Sequence, residues 1–514
     1  MSGPLPPGLR RNMVTICAMT ATIMQALDTT IANVALPYMQ GTLSASQDQI
    51  NWVLTSYIVA AAIMTAPVGW VANRFGRKRI FILCSGGFTV ASVFCGLAQD
   101  INQMVLFRLL QGVFGAALVP LSQAVMLDSY ALHERAKAMS IWGMGVMMGP
   151  IMGPSLGAWL TETYSWHWVF FVNLPFGFFT VLGLVVFMDE TKKDLNLRFD
   201  WFGFTALAVG IGSLQLALDR GEQLGWLESN EIIAEFIISG IGFYYFFAHS
   251  LTTSRPFIQF SLFRDRNFLT GCIFMAVMGL VLYSTMALAS PYLQNVVGYP
   301  IITAGVLLAS RGCGTFVAMM LVGRMMRYIE ARTLIISGLG ITALSLYYMS
   351  AWTDQTGVPE IITLSVIQGF GFGLVFVPLS TVAFMTLPGH LRTDGTSMLT
   401  LMRNVASSIG ISIVIAQLTE GSRRIYAVLN NHVNPFNHAM QMPDVAGMID
   451  MTTDKGRAMM DVMTGLQAQI IAFSQDYQLV MIFILCSIPL AIMIGSTKAT
   501  LRKQAAGPEH AVME

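Results

Sequence analysis

Fourteen stretches of about twenty apolar residues recur along this chain. That length is what a helix needs to cross the hydrocarbon core of a bilayer. They lie near residues 13–37, 50–72, 80–98, 104–127, 138–160, 166–188, 201–218, 231–250, 267–288, 302–323, 333–352, 360–385, 399–419 and 476–497. Lipid offers the backbone no hydrogen bonds, so each run has to close its own as a helix. The expected fold class is an all-α polytopic membrane protein. The first run is too long for a signal-peptide core and has no clear cleavage site, so it is read as a retained helix. Composition agrees: 54% of residues are hydrophobic and 11% charged, against roughly 25% charged in soluble proteins. A net charge of +1 argues against nucleic acid as a partner, and the six cysteines form no CxxC pair, which argues against a disulfide framework or a metal site.

Charge predicts orientation. With the N-terminus inside and fourteen passes, inside segments hold 21 of the 29 Lys and Arg, outside segments hold five, and Arg108, Arg311 and Arg403 fall within spans. That bias matches the positive-inside rule and puts both termini in the cytoplasm.

The chain also repeats itself. QGVFGAALVPLS (111–122) is echoed by QGFGFGLVFVPLS (368–380), His133-Glu-Arg by His390-Leu-Arg, and the glycine-opened basic loop at Gly69 by one at Gly323. Three echoes at nearly one offset imply two related six-helix halves, arranged in parallel as in transporters with a midplane site. The expected division is a tail over 1–12, a first bundle over 13–188, two inserted helices over 201–250, a second bundle over 267–497 with a long outer loop at 420–474, and a tail over 498–514. That loop holds the motif Asn-Asn-His-Val-Asn-Pro-Phe-Asn (430–437) and a Met-rich stretch from Ala458 to Phe473 with helix-like periodicity, read as a partner-docking or gating element or as an amphipathic surface helix.

Few polar groups lie deep in the runs. Asp28 is the only acid deep in the first bundle, where a charge costs on the order of 3 kcal/mol. Burial works against its charge and a nearby arginine works for it, so such a carboxylate can bind and release protons. Gln25 lies one turn earlier. Arg108 stays charged at any relevant pH and can only answer to a proton by taking or releasing a carboxylate. The repeat puts Ser365 at its equivalent position, so the scaffold does not require that charge. An Asp28–Arg108 interaction is expected, with Gln111 one turn away. Arg311 and Arg403 are also asymmetric between the halves, opposite Tyr57 and Val146. Three deep arginines against one deep aspartate, with no extra acid in the second half, point to neutral or weakly acidic amphipathic substrates. Gly145, Gly149, Gly153 and Gly157 share one helix face, beside Pro150 and Pro154, and suit a close contact between the halves.

These residues carry a resemblance. Gly69-Trp-Val-Ala-Asn73-Arg74-Phe-Gly76-Arg77-Lys-Arg resembles the loop signature between helices 2 and 3 of the major facilitator superfamily. Arg108-Leu-Leu-Gln111-Gly resembles its helix-4 signature, and Gly149-Pro150-Ile-Met-Gly153-Pro154 the helix-5 signature of antiporters. Leu27-Asp28-Thr-Thr-Ile-Ala-Asn33-Val-Ala-Leu-Pro resembles the helix-1 signature of the fourteen-helix drug:proton antiporters of the EmrB/QacA type. The resemblance implies export from the cytoplasm across the inner membrane by alternating access, driven by the proton gradient without a cofactor. It ties Arg108 to coupling and has the glycine helix seal the bundle against proton leak. Gln25, Asn33, Gln111, Arg311 and Arg403 are read as candidates for the substrate cavity. Gram-negative relatives work with a membrane-fusion adaptor and an outer-membrane channel. The loops depart from the pattern: Asn73 stands where the first-half signature has an acid and Arg327 where an acid is common in the second-half loop, so charge pairing there is expected to be weaker or rebuilt with Glu134 and Asp128.

Rival readings are an exporter of one endogenous metabolite or siderophore, a membrane-embedded enzyme, or a transporter-derived sensor. The chain shows no paired-acid DDxxD cluster for magnesium and no phosphate-binding GxxxxGKS loop, and a sensor is expected to carry a soluble signalling domain. The topology has a direct check. Alkaline phosphatase, which works only outside the cytoplasm, is expected to be active when fused after Gly225 and silent when fused after Arg79.

Overall fold

The computed structural model describes residues 5–191, 193–253, 256–433 and 453–493. The first four residues, most of the loop motif at 430–437 and the tail over 498–514 therefore lie outside the described residues, as does the side chain of Pro150. The described residues form helices and connecting turns, with no strand among them.

The first half comprises α1 (Leu9–Thr42), α2 (Gln47–Thr65), α3 (Val68–Phe75), α4 (Arg77–Gly96), α5 (Ile101–Gly115), α6 (Leu118–Ser129), α7 (Arg135–Thr163), α8 (Trp168–Phe171) and α9 (Asn173–Phe187). Two inserted helices follow, α10 (Trp201–Leu224) and α11 (Asn230–Thr252). The second half comprises α12 (Arg266–Pro291), α13 (Ile301–Met325), α14 (Ala331–Met349), α15 (Val358–Ala383), α16 (Arg392–Asn430) and α17 (Asp454–Ser487). Eleven helical stretches are long and apolar enough to cross a membrane, or twelve when α2 and α3, bent by 56°, count as one span. Fourteen spans are therefore not all supported by hydropathy. The two left out are α7, diluted by glycine and proline, and α14, only 19 residues long and carrying serine, threonine and tyrosine.

The repeated phrase folds in two ways. In the first copy the helix breaks at Ala116–Ala117, between α5 and α6, just before Pro120. A proline ring removes one backbone bond and clashes with the carbonyl four residues earlier, which is Ala116. The second copy, one residue longer, runs unbroken through Pro378.

Helix α7 holds the two halves together, though not by the face its glycines suggested. A Cβ at Gly149 would overlap the Ala26 carbonyl of α1, one at Gly153 would overlap Thr30, and one at Gly157 would stand 3.2 Å from the Ile31 carbonyl. The four-residue glycine face therefore packs within the first half. Successive helix residues turn by about 100°, so residues 140, 143, 151 and 154 present a different face. That face meets α13: Ser140 at Gly323, Gly143 at Met319, Ile151 at Gly312 and Pro154 at Gly305. Trp142 of α7 stacks on Phe376 of α15 at 5.8 Å. On another flank α10 fastens the halves, with Asp219 accepting from Thr55 of α2, Gln215 donating to Ser408 of α16 at 2.8 Å, and Ser412 of α16 donating to the Leu218 carbonyl at 2.7 Å.

The outer loop is also shorter than its sequence implied. Helix α16 continues to Asn430 and α17 begins at Asp454, so the Met-rich stretch from Ala458 to Phe473 is part of a spanning helix. At 1.5 Å per residue α16 is about 58 Å long, nearly twice the hydrocarbon thickness.

Replacing Gly149 by alanine is expected to force α1 and α7 apart and cost about 1–3 kcal/mol, read as a lower Tm of the purified protein. Gly340→Ala in α14, where a Cβ meets nothing within 4 Å, should leave Tm unchanged or slightly raised.

Candidate functional site

Four helices meet around one buried carboxylate. Asp28, in the middle of α1, is 1% exposed, and Arg108, two turns into α5, is fully buried. Arg108 Nη1 donates to Asp28 Oδ2 at 2.7 Å. Gln111 Nε2 donates to Asp28 Oδ1 at 2.8 Å, and Asn173 Nδ2, from the start of α9, donates to the same oxygen at 3.2 Å. The guanidinium is held from other sides as well: its Nε donates to the Val53 carbonyl at 3.0 Å and its Nη1 to Gln111 Oε1 at 2.8 Å. Its charge lies over the Tyr57 ring at 4.3 Å, a favourable cation–π position. A charge pair this deep persists only if its remaining lone pairs and protons are satisfied. Here both carboxylate oxygens accept, while Arg108 Nη2 keeps no partner. One proton delivered to Asp28 would remove its charge and leave a positive guanidinium in a network built for a neutral pair.

The other sequence candidates lie around this cluster. Gln25 Nε2 reaches the Tyr57 hydroxyl at a long 3.4 Å. Gln25 is half-buried and Asn33 exposed, eight residues apart on the less buried face of α1. Arg311 of α13 is buried and donates to Thr285 Oγ1 at 3.0 Å, and no carboxylate pairs with it among the described residues. Arg403 of α16 faces a small, mainly apolar pocket between the halves, which Val146, Met278, Tyr283, Met319 and Phe376 also line. Among the described residues its Nε is buried without a partner, and its Nη2 makes a long 3.5 Å contact to Asn404 Oδ1. The equivalent of Gln111 in the second half, Gln368, is fully buried with neither amide atom bonded. Thus Asp28, Arg108 and Gln111 come together, while Asn33, Arg311 and Arg403 do not join them.

The basic side of the bundle, which carries the Arg74–Arg79 loop, is closed across the halves. Asn73 Nδ2 donates to Asp394 Oδ2 of α16 at 3.1 Å. Asp128 at the end of α6 pairs at once with Arg77 and with Arg392 of α16. Glu134 pairs with Arg11 at 2.8 Å. Glu134 and Asp128 do provide charge pairs here, and the missing loop acid is replaced by an acid on the opposite half. Gly69 lets this happen, because a Cβ there would overlap Asp394. Gly76 adopts φ 98°, a left-handed conformation that favours glycine, and a Cβ would collide with Glu190. Arg74 donates to the Leu195 carbonyl at 3.0 Å and lies 5.6 Å from the Trp70 ring.

A family model described as Major Facilitator Superfamily matches residues 18–411. The chain belongs to that superfamily. Within it this facilitator is EmrB-like. It is 34% identical over 438 residues to the "Multidrug export protein EmrB" of Escherichia coli (strain K12), covering 84% of each chain. It is 32% identical to the "Fatty acid resistance protein FarB" of Neisseria gonorrhoeae, covering 85% of this chain and 86% of that one. The fold is shared with the human organic anion transporter MFSD10, at a TM-score of 0.57 and 13% identity, over 93% of this chain and 100% of that one. It is shared too with a bacterial homologue of the lysosomal transporter Spinster, at a TM-score of 0.53 and 19% identity, over 95% and 98% of the two chains. The facilitator is therefore a multi-pass membrane transporter of small molecules, of the drug-efflux type.

Three members of the facilitator's polar network escaped the sequence reading. Asn173 sits in an apolar run as Asp28 does and could have been flagged by the same test. Tyr57 and Asp394 gave no such signal, since a tyrosine is ordinary in a span and Asp394 follows a basic loop. A thermodynamic cycle probes the central pair. Asp28→Ala and Arg108→Ala should each cost about 3–5 kcal/mol by leaving a bare buried charge. The double replacement should cost clearly less than the sum, measured by Tm in detergent.

Proposed function

We propose that this facilitator is a proton-coupled exporter of amphipathic, neutral or weakly acidic compounds, working by alternating access in the inner membrane with both termini in the cytoplasm. The observation that carries the reading is the buried Asp28–Arg108 pair: the carboxylate accepts from three donors, and neutralising it releases its arginine.

In this reading the basic side faces the cytoplasm and is shut in the conformation described. The Asp128 pairs and the Asn73–Asp394 bond have to part before substrate enters from that side. Substrate then occupies the apolar space between the halves, where Arg403 offers a guanidinium nitrogen that no protein group uses. An acidic headgroup fits that nitrogen and an aliphatic or aromatic body fits Met278, Met319 and Phe376. A proton arriving at Asp28 weakens its hold on Arg108, and the first half is free to change its packing against the second. The name of the Neisseria relative, a fatty acid resistance protein, agrees with an amphipathic anion as one substrate class. The proton gradient is the energy source, with no cofactor. A membrane-fusion adaptor and an outer-membrane channel belong to the reading as partners on the outer side, where α16 and α17 run beyond the bilayer and Tyr426 donates to Asp461 between them.

The test uses purified protein in liposomes with an imposed pH gradient and an internal pH dye, with protein-free liposomes subtracted. Fatty acids and weakly acidic aromatic compounds are expected to trigger proton flux, and Asp28→Asn should abolish it. Arg403→Gln should weaken the response to acidic compounds about tenfold while sparing neutral ones. Flux triggered by quaternary cations alone would overturn the substrate assignment.

A further inference from the structure

The second half holds a deep acid that the sequence reading did not count. Asp476 looked like the outer end of the last apolar run, but α17 starts 22 residues earlier and buries it completely. Among the described residues, neither of its carboxylate oxygens has a hydrogen-bond partner. Asp28, by contrast, accepts from three donors.

The residues that flank Asp476 on α17, Phe473 and Tyr477, belong to an aromatic cluster. Tyr477 is buried with an unbonded hydroxyl and packs edge-on against Trp352 at 5.8 Å. Trp352 stacks on Tyr292 at 5.2 Å, and Tyr292 meets Phe473 at 5.6 Å, one turn before Asp476. Tyr292 and Trp352 lie just past the ends of α12 and α14 away from the basic side, so this cap lies toward the outer end of the second half. The ionisable groups around the cap are Tyr477 and Tyr292, with Arg311 near Tyr477, and with Asp354, Glu360 and Tyr299 near Tyr292. Of the helices packed on α17, α12 and α14 carry their only charges at the basic end, Arg266 and Arg332. On α16, Arg392 and Asp394 belong to the basic-side closure, Arg403 faces the central pocket, and Glu420, Arg423 and Arg424 lie on the exposed extension. None of them bonds Asp476. A bare carboxylate in so apolar a setting is far costlier than a neutral carboxyl.

We propose that Asp476 is a second proton-binding site of this transporter, loaded in the conformation described here. The carboxylate takes one proton from outer water when the aromatic cap is open, and is buried as the neutral acid when the cap closes. The proton returns to water when the region is rehydrated. The site's existence stands on its own geometry; its part in transport rests on the proton-coupled reading above.

Infrared difference spectra of the wild type against Asp476→Asn, in liposomes at neutral pH, decide whether the site is loaded. The expected result is a carbonyl-stretch band of a protonated carboxyl that the variant lacks and that shifts in heavy water. A carboxylate band in its place overturns the proposal. Asparagine imitates the neutral acid in size and charge, so the variant should fold, and Asp476→Glu should restore the band. Proton counting per substrate exported, by the pH dye, decides the role. One proton fewer in Asp476→Asn, with export retained, is expected; an unchanged count overturns a role in coupling. A wild type that exchanges no protons would refute the proton-coupled reading instead, and the infrared band would still decide the site.

Discussion

Helix α7 is approached by two helix backbones on two different faces, and the relation between the halves rests on that contact. The glycine face lets α1 close against it, and the face offset from it receives the glycines of α13. Membrane helices gain little from hydrophobic burial against one another, because lipid is as apolar as they are; close packing and shared hydrogen bonds have to do the joining. Small residues on both sides give α7 a close fit to its own half and to the other. The helix that stiffens the Asp28 cluster is therefore also the helix along which the halves meet, which is what a transporter needs if a change at a buried charge is to be felt across its midline.

The polar chemistry is distributed unevenly over this near-symmetric frame. The first half contains a charge pair whose carboxylate is fully engaged and whose partners come from four helices. Among the described residues, the second half contains two deep arginines, Arg311 and Arg403, without acids, a glutamine without partners and an aspartate without donors. Each unsatisfied group costs free energy in a dry interior, and duplication alone gives no reason to keep it. Unbonded guanidinium and carboxyl groups have capacity left for something that arrives and leaves, and a substrate headgroup and a proton are the two things a facilitator of this type handles.

Comparison of copies was the more informative part of the sequence. It separated Arg108 from Ser365 before any coordinates, because a scaffold built twice shows where it can do without a charge. It could not show that Gln111 and Gln368, identical in both copies, differ in bonding. That depends on Asp28 having no counterpart across from Gln368, a fact about neighbouring helices. The glycine face of α7 was legible as a close contact, but its partner was not, since periodicity gives the angle of a face around its own axis and says nothing of which helix fills it.

Length, apolarity and charge bias along the chain are enough to determine a polytopic helical membrane protein in two related halves with a rare acid and a rare arginine near its middle, because hydrocarbon thickness and backbone hydrogen bonding leave a chain of this pattern few alternatives. Tertiary structure alone decided that Asp28 and Arg108 touch, that Asn73 finds its acid on the other half at Asp394, and that Asp476 is buried without a partner. These contacts join residues 80 and 321 positions apart in two cases. In the third, burial depends on where a helix begins and what caps it. Such separations are set by how helices pack, and packing is fixed by the shapes of many side chains together.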